Sequence, residues 1–168
     1  MSAGRPYRPN IGIALFNRDG QVLIGRTESS GPEIVLPGFD WQMPQGGIDE
    51  AEDLEAAARR ELWEETSAVS AQLLDITGEW WSYDFPAYGG PVHKLTPFAG
   101  QRQRWAAFRF TGTDSEIDVA SPTGGQPQEF FAWRWERLER APDLVVPYKR
   151  QVYRKVAAAF ARFAVPTP

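Results

Sequence analysis

Residues 46–68, GGIDEAEDLEAAARRELWEETSA, decide the fold of this chain. Within this stretch, apolar side chains recur with the spacing of a helix, at Leu54, Ala57, Ala58 and Leu62. Acidic residues 52 and 53 stand at the amino-terminal end, where negative charge is favoured by the helix dipole. The segment therefore predicts a glycine-rich turn that leads into a helix.

The same helix carries three carboxylates on one face. Glu61 lies three residues before Glu64 and four before Glu65, and these spacings bring side chains together on an exposed helix surface. Each like-charge pair costs a few tenths of a kcal/mol (~0.2–0.5), so the patch requires a positive partner. Arg60 is one candidate, because it lies four residues before Glu64. A hard divalent cation such as Mg²⁺, which takes oxygen ligands, is the other.

The sequence on either side of this helix predicts mainly strands. The Asp19-Gly20 turn and a Gly- and Pro-containing loop at 27–40 separate the first of them. The predicted strands are 10–17, 22–24, 41–47, 73–83, 103–111 and 129–135, and a second helix starts near Tyr148. Strands that flank two helices predict an α/β or α+β domain.

Composition excludes several chemistries. The 168 residues include no cysteine and one histidine, His93, which argues against thiolate zinc sites, cysteine nucleophiles and most histidine-dependent hydrolases. The net charge of −4, with acids concentrated in residues 1–100 and bases in 101–168, suits a metal site facing phosphate and argues against DNA binding. Neither a secretory signal nor a membrane span is visible, so we expect a cytoplasmic protein that does not bind membranes.

The spacing of residues 46–68 resembles the Nudix box. Gly46, Glu52 and the run Arg60-Glu61-Leu62-Trp63-Glu64-Glu65 occupy the positions of that pattern, and Ser67 departs from it where the family usually has glycine. Serine in the left-handed conformation expected there costs about 1 kcal/mol. The resemblance implies an α/β/α sandwich with a mixed central sheet, formed by a single domain over residues 1–168.

The resemblance also implies roles for individual residues. Mg²⁺ or Mn²⁺ would be bound by Glu61, Glu64, Glu65 and the backbone carbonyl of Gly46. Glu61 and Glu65 would act in catalysis of pyrophosphate hydrolysis. Glu52 and Arg60 would form a structural ion pair.

Further stretches resemble one Nudix subgroup, the bacterial RNA pyrophosphohydrolases and the plant-type diadenosine tetraphosphate hydrolases. These stretches are YRPN at 7–10, WQMPQGGI at 41–48, GQRQRW at 100–105, EF at 129–130, WRW at 133–135 and YKR at 148–150. They imply Glu129 as a further metal ligand or base. They also imply substrate contacts from Arg8, Gln45, Arg102, Arg104, Tyr148 and Lys149. The residues alone leave other interpretations open, because Tyr148 can pack internally and Arg102 and Arg104 can simply be solvated.

Besides a general nucleotide-sugar or nucleoside-triphosphate hydrolase of the same fold, three functions are compatible with these patterns. The first is an RNA 5′-pyrophosphohydrolase that converts 5′-triphosphate ends into 5′-monophosphate ends and so initiates mRNA decay. The second is a dinucleoside polyphosphate hydrolase, because both substrates present a polyphosphate beside a nucleoside. The third is a catalytically inactive nucleotide-binding module, which is disfavoured because Glu61, Glu64 and Glu65 are all present. No protein partner is indicated.

Overall fold

A mixed eight-stranded sheet runs through the structure, a computed structural model that describes residues 4–121 and 123–168. The strands are β1 (Tyr7–Phe16), β2 (Val22–Arg26), β3 (Trp41–Gln42), β4 (Gln45–Gly47), β5 (Ala71–Ile76), β6 (Trp81–Asp84), β7 (Gly100–Phe110) and β8 (Ala132–Glu136). The helices are α1 (Leu54–Thr66), α2 (Ala141–Leu144) and α3 (Arg150–Ala159).

The two longest strands lie side by side at the centre of the sheet. β1 and β7 pair in parallel from Tyr7 opposite Gly100 to Phe16 opposite Arg109. The other pairings are antiparallel: β2 and β4 pair with β1, β3 and β8 with β2, and β5 and β6 with β7. Because side chains alternate along a strand, each central strand faces both sides of the sheet.

A hydrophobic core covers each face of the sheet. On one face, Tyr153 and Val156 of α3 pack with Trp105 of β7. On the other face, Ala58 and Leu62 of α1 pack with residues that include the buried β1 and β7 side chains Ile11, Ile13, Leu15, Ala106 and Phe108. This arrangement confirms the predicted α/β/α sandwich with a mixed sheet.

The structure differs from the predicted elements at several points. Residues 73–83, predicted as one strand, form parts of β5 and β6, interrupted where the Thr77 hydroxyl accepts a hydrogen bond from the Trp105 backbone N–H. The strand predicted at 129–135 begins only at Ala132, so Glu129 lies in the preceding segment. The predicted second helix is α3, which follows directly on a 3-10 turn over Pro147–Lys149, and the short α2 was not predicted.

None of the helices in the described ranges combines the length and the apolar character needed to cross a membrane.

Candidate active site

The acidic helix α1 is fixed at both ends by local interactions. The Asp53 carboxylate caps the amino terminus by accepting a hydrogen bond from the Ala56 backbone N–H at 2.8 Å. At the carboxyl end, Ser67 has φ of 67°, and its N–H bonds the Trp63 carbonyl. Serine thus adopts the left-handed conformation in which glycine is usual.

Arg60 connects α1 to the turn that precedes it. Its Nε and Nη2 each donate to one oxygen of Glu52 at 2.8 Å, and Nη2 also donates to the Gly47 carbonyl at 2.9 Å. Nη1 donates to Glu61 at 2.8 Å and approaches Glu64 at 3.4 Å. The Glu52 contact contributes most to the raised pKa of Arg60. The Arg60 guanidinium therefore connects the turn at Gly47 and Glu52 to the carboxylate of Glu61 on α1.

The glycine-rich strand β4 brings backbone against the acidic helix. A side chain at Gly46 would collide with the Glu61 carboxylate, and one at Gly47 would collide with the Arg8 guanidinium. Glycine at both positions therefore lets these two side chains lie directly against the β4 backbone. The close packing places the β4 backbone beside one carboxylate and one cation.

Glu65 is not part of an exposed patch, contrary to the sequence prediction. Its carboxylate is buried, and Oε2 is the one buried side-chain nitrogen or oxygen in the described residues without a hydrogen-bond partner. Burial, followed by the neighbouring charges of Glu129 and Glu61, raises its pKa well above the usual range. The prediction was wrong because helical spacing does not show which other segments pack on the helix. Here Gln45 of β4 and Glu129 of the segment before β8 lie next to the Glu65 carboxylate.

Two further carboxyl groups near the same place have raised pKa values. Burial raises the pKa of Glu61 to about 7, although the Arg60 hydrogen bond opposes the change. Burial also raises the pKa of Glu129, against the opposing charges of Lys149 and Lys94. A carboxyl group whose pKa lies near neutrality, as that of Glu61 does, can exchange protons with a substrate or water at physiological pH.

These groups surround a cavity of about 720 Å³. Most of the residues predicted for the site line it, namely Arg8, Gln45, Gly46, Arg60, Glu61, Glu64, Glu65, Glu129 and Lys149. The cavity thus has an acidic wall formed by α1, and the rest of its lining includes the cations Arg8, Lys94 and Lys149. A pocket of this size with convergent charged groups is typical of a site for a small phosphorylated ligand.

Three of the predicted substrate-binding residues do not line this cavity. Arg102 and Arg104 share one face of β7, as predicted, but their guanidinium groups lie 4.2 and 5.6 Å from the ring of Trp80. Tyr148 is largely buried, packs against Tyr83 and donates its hydroxyl hydrogen to the Ile34 carbonyl at 2.8 Å. Substrate contact by these residues stays a prediction that requires a ligand extending beyond the cavity.

Sequence reasoning missed other residues of the cavity. Glu33, Lys94, Gln101 and Asn10 line it, as does His93, which was interpreted as incidental. Gln101 lies in a stretch that the resemblance included, but no pattern singled it out. Glu33 and Lys94 lie in loops, where no periodicity indicates which side chains turn inward.

The donor set around the acidic wall fits a hard divalent cation. No three His, Asp or Glu side chains in residues 4–121 and 123–168 converge closely enough to bind an ion as they stand, and Arg60 contacts both Glu61 and Glu64. The available donors are nevertheless all oxygens, which Mg²⁺ and Mn²⁺ prefer. The unpartnered Oε2 of Glu65 is a buried ligand that such an ion would satisfy.

Comparison with known proteins gives consistent results. The model of the NUDIX domain family matches residues 6–156. A protein of Azorhizobium caulinodans named RNA pyrophosphohydrolase is 51% identical over 160 residues, which are 95% of each chain. One of the same name from Caulobacter vibrioides is 49% identical, over 94% of this chain and 88% of its own.

A solved structure has the same fold. The binary complex of a C. elegans Ap4A hydrolase superposes with a TM-score of 0.60 at 18% identity, covering 92% of this chain and 98% of its own.

Proposed function

Because the chain belongs to the NUDIX domain family, we propose that it removes pyrophosphate from the 5′-triphosphate end of RNA, leaving a 5′-monophosphate. In a bacterial cell this reaction would expose transcripts to decay. The observation that carries the proposal is the similarity to the RNA pyrophosphohydrolase of A. caulinodans, at 51% identity over 95% of both chains. The likeness therefore includes the strands and loops around the cavity as well as the acidic helix.

Nudix enzymes use divalent cations, and we propose Mg²⁺ or Mn²⁺ for this one. The ligands would be Glu61, Glu64, Glu65, Glu129 and the Gly46 carbonyl, because all five residues line the same cavity. When bound, the cation supplies neutralisation of phosphate oxygens and a more acidic water. The Arg60 contacts to Glu61 and Glu64 keep these two carboxylates oriented without saturating their oxygens.

Two carboxyl groups are suited to take the proton of the attacking water. Glu61 has a pKa of about 7, so its ionised and protonated forms are both populated at neutral pH. Glu129 lines the cavity, and its carboxylate accepts no hydrogen bond from the described residues. Glu65 is the less suitable base because its carboxyl is the most enclosed of the three.

Phosphate recognition falls to the cavity cations that have no protein partner. Arg8 and Lys94 line the cavity, and neither side chain forms an ion pair or hydrogen bond within residues 4–121 and 123–168. Arg60 and Lys149 are already bonded to protein carboxylates. Arg8 and Lys94 are therefore the charges available to a polyphosphate chain.

The test is a hydrolysis assay with Mg²⁺ that compares a short 5′-triphosphorylated RNA with diadenosine tetraphosphate. We expect faster reaction with the RNA. We also expect Glu65→Gln to lower kcat by about 100-fold or more, since it removes a charged ligand. Melting curves of both proteins check that the variant is folded.

Each outcome selects one function. Preference for the dinucleotide would replace the proposal with the dinucleoside polyphosphate hydrolase. A folded protein that hydrolyses neither substrate would point to the nucleotide-binding module. Full activity of Glu65→Gln would exclude Glu65 from the metal site.

A further inference from the structure

A carboxylate that the proposed chemistry does not use lies at the centre of a buried polar network. Glu33, in the loop at 27–40, accepts hydrogen bonds at Oε1 from the Tyr83 hydroxyl and from Gln101 Nε2, both at 2.6 Å. Its Oε2 lies 3.2 Å from Lys149 Nζ and 3.3 Å from the Tyr148 hydroxyl. The side chains of Glu33 and Lys149 are 14% and 4% exposed, so the pair is nearly dry.

The ammonium group of Lys149 is fully used by this network. Its three hydrogens have three acceptors: Glu33 Oε2 at 3.2 Å, Gln42 Oε1 at 3.1 Å and Gln45 Oε1 at 3.4 Å. A substrate phosphate would have to break one of these bonds to reach Lys149. Lys149 therefore holds Glu33, Gln42 and Gln45 together in this network.

The loop that Glu33 anchors forms one wall of the cavity. Residues 27–30 and Val35 of this loop line the cavity. A two-way backbone bridge between Ser30 and Glu33 holds the tip of the loop, and the Ser30 hydroxyl contacts His93 at 3.3 Å. Glu33 links this wall to β6, β7 and the turn before α3 through a single side chain.

We propose that Glu33 is a positioning residue that, paired with Lys149, fixes loop 27–40 as one wall of the substrate-binding cavity. This inference rests on the proposed function, since it takes RNA as the substrate. A buried ion pair adds little net stability compared with apolar packing, whereas it does dictate one geometry. Gln45 Nε2 also donates to Glu33 Oε1 at 3.3 Å, so five polar contacts meet on this loop carboxylate, and they are better explained by orientation than by stability.

The experiment compares Glu33→Gln, Lys149→Met and their double variant with the unchanged protein. The matched control is Glu139→Gln, which alters an exposed, ion-paired glutamate outside the cavity. Hydrolysis of the short triphosphorylated RNA with Mg²⁺ gives kcat and KM. Hydrogen exchange reports on loop amides such as those of Ser30 and Val35, which are hydrogen-bonded only within the loop.

We expect Glu33→Gln to raise KM about tenfold and to leave kcat within about twofold, because binding is affected more than chemistry. Loop amides should exchange faster while those of β1 stay protected. The double variant should be no worse than the worse single one, since both remove the same pair. Tyr148→Phe removes only one hydroxyl and should raise KM about threefold. This variant tests the proposal if Glu33→Gln does not fold.

Several results would overturn the proposal. One is a Glu33→Gln protein with unchanged KM and unchanged loop exchange. Another is a fall in kcat at constant KM, which would place Glu33 in the chemical step. If the unchanged protein hydrolyses no RNA, the proposed function fails, and the exchange measurement alone decides whether Glu33 orders the loop.

Discussion

Substituting Arg60 tests how the acidic helix is held against the glycine-rich turn. The guanidinium makes two hydrogen bonds to Glu52, one to the Gly47 carbonyl and one to Glu61, at 2.8–2.9 Å. Methionine has a similar length but removes all four. Lysine keeps the charge, but a single ammonium group cannot reproduce the planar fork that meets both Glu52 oxygens.

The size of the expected stability loss depends on how exposed Arg60 and Glu52 are. Removing one partner of a buried ion pair costs about 3–5 kcal/mol. Here the Arg60 and Glu52 side chains are 27% and 16% exposed, so water compensates part of the loss. We expect Arg60→Met to lower the free energy of unfolding by about 2–3 kcal/mol and Arg60→Lys by about 1–2 kcal/mol.

Urea denaturation in the presence of a chelator measures these differences. Arg137→Met is the matched control, since Arg137 and its partner Glu139 are 67% and 65% exposed, and we expect a loss of about 1 kcal/mol or less. Lysine at position 60 with a stability within about 0.5 kcal/mol of the unchanged protein would refute the argument, because charge alone would then suffice.

The pH dependence gives an independent check of the same ion pair. The Arg60 hydrogen bond lowers the pKa of Glu52, so the pair stabilises the fold above the unfolded-state pKa of about 4.3. This stabilisation is lost as pH falls through the lowered value. The part of the stability difference between the unchanged protein and Arg60→Met that is due to Glu52 should therefore narrow only in acid, whereas the part due to Glu61 changes near pH 7. If the difference in unfolding free energy between the two proteins stayed constant down to pH 2, ionised Glu52 would be excluded as the partner through which Arg60 stabilises the fold.

Two further predictions concern the carboxyl end of α1. Burial alone would raise the pKa of Glu116, but hydrogen bonds from residues 69 and 70 outweigh it and lower the value. Glu116→Gln should therefore cost about 1 kcal/mol at pH 7, and this cost should disappear as the pH falls through the lowered pKa, measured by urea titration at pH 7 and over a series of acid pH values. Ser67→Gly should be more stable than Ser67→Ala by about 1 kcal/mol, because both lose the bond to the Asp118 carbonyl but only glycine relieves φ of 67°. Equal stabilities of the two position-67 variants in thermal melts would contradict this reasoning.

Local patterns were sufficient to predict α1 and its connection to the turn. Apolar spacing indicated the helix, and it runs from Leu54 to Thr66 against the sheet. Most strands were predicted for the same reason, since alternation and turn residues are properties of neighbouring positions. Boundaries failed where tertiary contacts decide, as at Thr77, whose hydroxyl is bonded to the neighbouring strand β7.

Features that depend on distant segments could not be predicted from the sequence. The alternation of Arg102 with Gln101 and Gln103 shows that arginine and glutamine face opposite sides of β7, but not which side meets the cavity. In the folded sheet, Gln101 and Gln103 form hydrogen bonds in the polar network, whereas Arg102 lies over the ring of Trp80. The pairing of Glu33 with Lys149 joins residues far apart in sequence and leaves no periodic signal.

The unfavourable features of the fold are concentrated at the acidic wall. Elsewhere in the described residues buried polar side-chain atoms have partners, as in the network around Glu33, whereas Oε2 of Glu65 has none. Glu61 and Glu129 also lie where burial raises their pKa values, which means that folding without a counter-ion disfavours their charged forms. Such costs persist in a stable domain only if other packing over-determines the structure, and the two cores on either side of the sheet supply that packing.

A divalent cation at this wall would relieve all of these penalties at once, because it would satisfy the unpartnered Oε2 of Glu65 and favour the ionised carboxylates. The distribution of strain therefore supports the same location for the metal as the family resemblance does.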